Sequence, residues 1–433
     1  MTPAPGVVPA RRGATTGERE ERGGEPLTGD PLTGDPLGPL QGVRIVDVGT
    51  LFAGPLSATL LADLGAEVIK VEHPRKGDTA RTFGAQKEGV GVYWKSLARN
   101  KRCITLDLSQ PAGQVLFLAL AEHVDVVIEN FRPGTLERWN VGWEELKRVN
   151  PGLVLLRTSA FGPGGPYSGF PGYGTLAEAM SGFAHATGSA DGPPTLPQMP
   201  VADGIAGVFG AMGILAALYH RDARGGTGQW IDNTIYEPIM RLMELMLCEY
   251  DQLGIVRQRQ GNHIPDSSPR GAYESRELGR WVALSGSSNE TALRIFTAIE
   301  RQDLVDDPEL ATNQGRLAHA DRINAAVARW IGLHTVEEVL ERFRAVDAPV
   351  APVYDSAGIF ADPHFRSRET LVEVADDDLG TVTVPNVIPR FSATPGGIRF
   401  TGPARGEHNL EVFGGLLGLE AAELEALRAD AVI

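Results

Sequence analysis

In the segment MPVADGIAGVFGAMGILAALYH, Asp203 stands where an apolar helical stretch begins. A carboxylate at a helix N-terminus is kept ionised and positioned, and it is able to attack a thioester carbonyl. Aspartate is also a preferred N-cap, and the same geometry serves a purely structural cap. On spacing alone the cap is the better reading. Gly204, Gly207, Gly210 and Gly213 recur every third residue after it. Each glycine disfavours a helix by roughly 1 kcal/mol relative to alanine. A helix that keeps four of them must gain from close approach, by another backbone or by a ligand.

A second group follows an apolar run in VVIENFRPGTLERW. Asn130, Phe131 and Arg132 fall just beyond Ile128, and Arg138 lies six residues further on. Ligands of open α/β sheets bind outside the carboxyl ends of strands. Asparagine can bond an adenine or amide edge, phenylalanine can stack, and arginine can grip phosphate. A solvated β-α loop explains the same residues equally well. The basic run Arg99-Asn100-Lys101-Arg102 is a phosphate grip or a solvated turn. Tyr173 and Glu178 are further polar candidates in PGYGTLAEAMSG. His185 and His220 lie on apolar helical stretches and read as structural. His73 follows an apolar run and reads by default as a loop histidine.

Other chemistries are disfavoured. The loop GTLFAG lacks the G-x-G-x-x-G spacing that seats a dinucleotide pyrophosphate. No Walker A, HExxH or G-x-S-x-G pattern occurs. Cys103 and Cys248 give neither a disulfide framework nor a metal spacing, so no metal site is expected and a reducing compartment is the default. The net charge of -15 argues against a general nucleic-acid binder. No apolar run reaches the roughly 18 residues needed to span a bilayer, and the N-terminus carries no signal core, so a cytoplasmic protein with no membrane partner is expected.

These residues need a scaffold. Val43–Val48, a helix through Leu64 and Glu67–Val71 form a β-α-β unit, the mark of a parallel sheet. Cys103–Leu108, a helix Pro111–Glu122 capped by Ser109, Asp125–Ile128 and Leu153–Thr158 extend it. The expected fold is α/β: a Rossmann-like large domain with a parallel sheet, plus a smaller α+β domain. Residues 1–38, with the repeat PLTGDPLTGDPLG, have too little apolar surface to order and read as a disordered tail. Residues 39–235 read as the first part of the large domain. Residues 236–345 read as a linker helix and small domain, and residues 346–433 as the part that completes the large domain.

PLQGVRIVDVGTLFAGP, GAEVIKVEHPRKGD, NKRCITLDL, VVIENFRPG, PVADGIAG, RGGTGQ and APVAPVYDSAGIFADPHF stand in this order. Together they resemble the family III CoA-transferases, the CaiB/BaiF-like group, from about Leu40 to Ile433. The resemblance implies an interlocked homodimer, with the glycine-rich helix as a close-packing device. It implies an acyl-CoA and a carboxylic acid as substrates, with coenzyme A bound only as a thioester substrate and no resident cofactor. It matches Asp203 to the family's catalytic aspartate, which forms an acyl anhydride and then a CoA thioester. CoA-contacting positions carry over to Phe52, Ala53, His73, Leu106, Asn130, Phe131, Arg132 and Arg138. His73 stands where some members have arginine, so Arg75 is a second phosphate candidate, with Lys101 and Arg102 from the basic run. A glycine-rich loop that closes over the site in some members is replaced by HIPDSSPRGAY. The alternatives are an α-methylacyl-CoA racemase, which uses a histidine where Tyr173 stands, a CoA-dependent lyase or hydratase using Asp203 as a base, and a non-catalytic CoA-binding scaffold.

Overall fold

The structure, a computed structural model, describes residues 38–433. The expectation of a tail over residues 1–38 therefore lies outside the described residues, Gly38 excepted.

The first half builds one parallel sheet. Its elements are β1 (Arg44–Asp47), α1 (Ala53–Asp63), β2 (Glu67–Glu72), β3 (Lys101–Thr105), α2 (Pro111–Glu122), β4 (Val126–Glu129), β5 (Val154–Ser159), α3 (Gly174–Met180), α4 (Val201–Arg224) and β6 (Trp230–Thr234). The six strands lie in the order β3-β2-β1-β4-β5-β6 and every neighbouring pair is parallel. Ile45 of β1 registers with Val68 on one side and Val126 on the other. Strands buried on both faces read as continuous Val/Ile/Leu runs, which is why they were legible. Ile45, Val68, Val126, Ile128 and Leu156 face α1 and α4, while Val46, Ile69, Ile104, Val127 and Leu155 face the layer that includes α2.

The remainder comprises α5 (Tyr236–Leu242), α6 (Glu244–Leu253), β7 (Arg270–Glu274), β8 (Trp281–Ser285), β9 (Val350–Pro352), β10 (Leu371–Asp376), β11 (Gly380–Pro385) and α7 (Ala421–Ala429), with intervening helices. The linker helix expected at the start of 236–345 is broken at Met243, giving α5 and α6. β8 is the centre of an antiparallel three-stranded sheet flanked by β7 and β9. Val350–Pro352 thus pairs with the small sheet, on the far side of the boundary expected at 346. The C-terminus reaches the large sheet as packing: Val412, Phe413, Leu424, Val432 and Ile433 join its core, while β10 and β11 pair only with each other.

Three local expectations are corrected. Ser109 does not cap α2; Gln110 is the N-cap residue, and the Ser109 hydroxyl donates to Asp107. The third strand begins at Lys101 and ends at Thr105, because the basic run turns its middle inward. By length and composition α4 suffices to cross a bilayer, against the expectation that no segment would. The glycine-bearing face of α4 is instead packed by protein. A Cβ on Gly207 would meet Leu56 at 2.9 Å, and one on Gly210 would meet Ser57 Oγ at 2.5 Å. The Ser57 hydroxyl donates to Gly207 O at 2.8 Å. The close approach that the glycines announce is therefore with α1 of the same chain.

Candidate active site

In a sheet of this order the strand connections reverse direction between β1 and β4, leaving a crevice at their carboxyl ends. The loops that leave these strands are tied across it. Thr50 N–H donates to Asn130 Oδ1 at 2.7 Å, and Asn130 Nδ2 donates back to Thr50 O at 2.7 Å. Leu51, whose φ is 66°, donates its N–H to Asp78 Oδ1 at 3.0 Å. This clamp holds the GTLFAG turn, and α1 starts directly behind it.

Above the clamp lies a cavity of about 500 Å³. Its walls combine the two loops with Phe83 and Tyr93, the 158–161 and 168–175 segments, residues 197–200, Glu178 and Asp203. Arg132 is the one cationic side chain among the described lining residues, and no histidine or cysteine lines it.

Asp203 is the third residue of α4, within its first turn, and Pro200 occupies the N-cap position without a side-chain bond. The capping role expected of Asp203 falls instead to Glu178 of α3, whose Oε1 accepts the Ala202 N–H at 3.2 Å. Glu178 is only 2% exposed. Asp203 is thereby free of helix capping, and its carboxylate accepts a hydrogen bond from the Gly174 N–H. Burial, then the negative charge of Glu178, push its pKa up to about 6 against the pull of that N–H. At neutral pH it is an ionised but poorly solvated carboxylate on a cavity wall, which is the state a nucleophile needs.

The sequence model of CoA-transferase family III matches residues 40–409. The chain belongs to CoA-transferase family III. This CoA-transferase is 43% identical over 396 residues to succinyl-CoA–D-citramalate CoA-transferase of Chloroflexus aurantiacus, covering 91% of this chain and 98% of that one. It is 41% identical to the beta subunit of succinyl-CoA–L-malate CoA-transferase of the same organism, covering 91% and 98%. Among solved structures, a CAIB/BAIF family protein from Brucella suis superposes with a TM-score of 0.77 at 29% identity, covering 88% of this chain and 99% of that one.

The residues singled out in the transferase sequence separate into two groups. Phe52, Ala53, Asn130, Phe131, Arg132, Tyr173, Glu178 and Asp203 all line the cavity. His73, Arg75, Lys101, Arg102, Leu106 and Arg138 do not. The basic run is not a phosphate grip in its middle. Lys101 is fully buried, with Nζ 3.0 Å from Asp47 Oδ2 and donating to Pro55 O at 2.6 Å. Arg102 pairs with Glu67 at 2.7 Å and Glu411 at 3.3 Å, and Arg99 pairs with Asp63. Leu106 is buried in the sheet core. Thr50 engages both polar ends of the Asn130 side chain once, which fixes the loop and leaves the amide one further N–H and one lone pair at the cavity. Phe131 meets Trp139 edge-on with ring centroids 5.3 Å apart. The His73 Nδ1 accepts the Arg75 N–H at 3.1 Å, and Arg138 donates to Thr135 Oγ1 at 2.8 Å. Sequence reasoning missed Tyr93, Phe83 and Gly174, whose proximity to Asp203 is created only by the fold.

The Glu178–Asp203 pair makes a pH prediction. If Asp203 is the nucleophile it must be ionised, and the expected result is activity that rises with pH through about 6. Glu178→Gln keeps an acceptor for the Ala202 N–H and removes the neighbouring charge. The Asp203 pKa then falls, and the midpoint of the acidic limb of kcat/KM moves down by about half a pH unit or more. An unmoved or raised limb in a rate profile from pH 4.5 to 8 contradicts this.

Proposed function

We propose that this transferase moves coenzyme A from an acyl-CoA donor to a free carboxylic acid, with Asp203 as the covalent nucleophile. The Asp203 carboxylate attacks the donor thioester carbonyl, the C–S bond breaks, and CoA thiolate leaves behind an aspartyl anhydride. The thiolate attacks the aspartyl carbonyl, expels the donor acid with one former Asp203 oxygen, and forms an aspartyl-CoA thioester. The acceptor carboxylate attacks that thioester, and the thiolate then takes the acceptor acyl group, leaving one acceptor oxygen on Asp203. The observation that supports this reading is a part-buried carboxylate, held by the Gly174 N–H, on the wall of a 500 Å³ cavity at the crevice of the sheet.

The relatives named above suggest succinyl-CoA as donor and a short di- or hydroxydicarboxylic acid as acceptor. Phe52, Ala53 and Arg132 would meet the inner part of coenzyme A, with His73, Arg75 and Arg138 along the same carboxyl edge for its phosphates. A racemase reading gains no support, since the described cavity offers no histidine base. A mass-spectrometric screen of acyl-CoA donors against carboxylic acids tests the proposal. Succinyl-CoA with citramalate, malate or mesaconate should give new CoA esters, and absence of exchange with every pair defeats it.

The interlocked homodimer belongs to this proposal. Val208, Met212, Leu215 and Tyr219 form a stripe on the outer face of α4, and α6 buries no residue at all. Such apolar faces need cover. A second copy is the simplest occupant, and a monomeric mass in light scattering at micromolar protein would refute it.

A further inference from the structure

Tyr93 sits in the short helix Val92–Leu97 and lines the same cavity as Asp203. Its ring lies between Phe52 and Phe83, at centroid distances of 5.8 Å and 5.7 Å, and both neighbours line the same cavity. Its hydroxyl is buried and has no hydrogen-bond partner among the described residues. Buried hydroxyls are almost always paired, so an orphan at the edge of a catalytic cavity calls for a partner that arrives from outside the chain. Burial first, and then the charges of Asp203 and Asp78, hold the phenol pKa well above its ordinary value. The group is therefore a neutral O–H donor within electrostatic reach of the nucleophile.

We propose that the Tyr93 hydroxyl is a catalytic residue that donates a hydrogen bond to the carbonyl oxygen of the acyl group under attack by Asp203. The inference rests on Asp203 being the nucleophile. As the Asp203 oxygen bonds to the thioester carbon, the carbonyl π electrons move onto oxygen, and they return as the C–S bond breaks and its electron pair leaves on the CoA sulfur. Tyr93 stabilises the oxygen while it carries charge and keeps its own proton throughout. Such a donor accelerates only the step in which charge develops, so its loss slows formation of the anhydride more than it weakens binding.

Tyr93→Phe tests this because it deletes one oxygen that bonds to none of the described residues. Full-length wild type and variant are mixed with succinyl-CoA and, separately, with butyryl-CoA. CoA release and the mass of the peptide carrying Asp203 are followed in a single turnover. Expected are adduct formation slowed by about 10²-fold with both donors, dissociation constants changed by less than about threefold, and a melting temperature unchanged or raised, since the buried orphan is gone. Equal adduct rates in the two proteins overturn the Tyr93 assignment alone. So does a loss with succinyl-CoA only, which would place the hydroxyl against a remote oxygen of the acyl chain. So too does a lowered melting temperature with activity falling in proportion, the mark of a structural role. Absence of any Asp203 adduct in the wild type overturns the nucleophile assignment and Tyr93 with it.

Discussion

Asp203→Asn and Asp203→Ala lose CoA exchange by at least about 10³-fold, and both proteins remain folded. Removing a nucleophile eliminates the covalent route, and what is left comes from binding alone. The fold survives because Glu178, not Asp203, satisfies the Ala202 N–H at the start of α4. Stability moves in the opposite direction from activity. Burial raises the folded-state pKa of Asp203 above the value of an unfolded aspartate. The folded chain thus holds this proton more tightly, and stability falls as pH rises to about 6, with the whole penalty present above it. Asparagine carries no charge, so the variant's melting temperature at pH 8 should equal or exceed that of the wild type. A structural cap would give the reverse: a lower melting temperature and retained exchange. Liquid chromatography of CoA esters and thermal melts at pH 8 separate the two.

The second large effect comes from a methyl group. A Cβ on Gly174 would lie 2.0 Å from Asp203 Oδ2 and 2.9 Å from its Cγ, well inside van der Waals contact. The backbone of α4 has little room to retreat, because Gly207 and Gly210 already bring it against Leu56 and Ser57 of α1. The carboxylate must therefore swing away from the Gly174 N–H. A misplacement of about 1 Å can cost about 10²-fold in rate, so Gly174→Ala should lower kcat/KM by about 10²-fold or more. The same clash should lower the melting temperature, and adding Asp203→Ala should restore it, because both clashing atoms are gone and the Asp203 backbone N, 3.6 Å away, is at ordinary contact distance. If Gly174→Ala retains wild-type kcat/KM, Asp203 is not held where the chemistry occurs.

How much of this was legible in the sequence depended on range. The strands β1, β2, β4 and β5 were read within two residues because both faces are buried and their cores are Val, Ile and Leu, interrupted in β2 only by the buried Lys70. Lys101 was not read as part of β3, since nothing local reveals that its ammonium reaches Asp47 through the core. The glycine repeat of α4 announced a close approach correctly. Its partner, α1, lies some 150 residues earlier in the chain, as the Ser57–Gly207 bond shows. Asp203 looked like a cap because aspartates before helices usually are. The true cap comes from Glu178 on α3, 24 residues away, which local spacing cannot disclose. The loop NFRPG pointed to the cavity through the position of its strand end. Its asparagine proved to be a clamp, because the β1–β4 adjacency that brings Thr50 to it is a property of the sheet order.

The central claim is that the Asp203 carboxylate becomes part of the substrate's bonds. Turnover with succinyl-CoA and an acceptor acid labelled with oxygen-18 in its carboxylate tests it most directly, followed by mass analysis of the peptide that carries Asp203. Each complete transfer leaves one acceptor oxygen on the enzyme, so the account predicts oxygen-18 in the Asp203 side chain and nowhere else in the chain. An unlabelled Asp203 after many turnovers would contradict it.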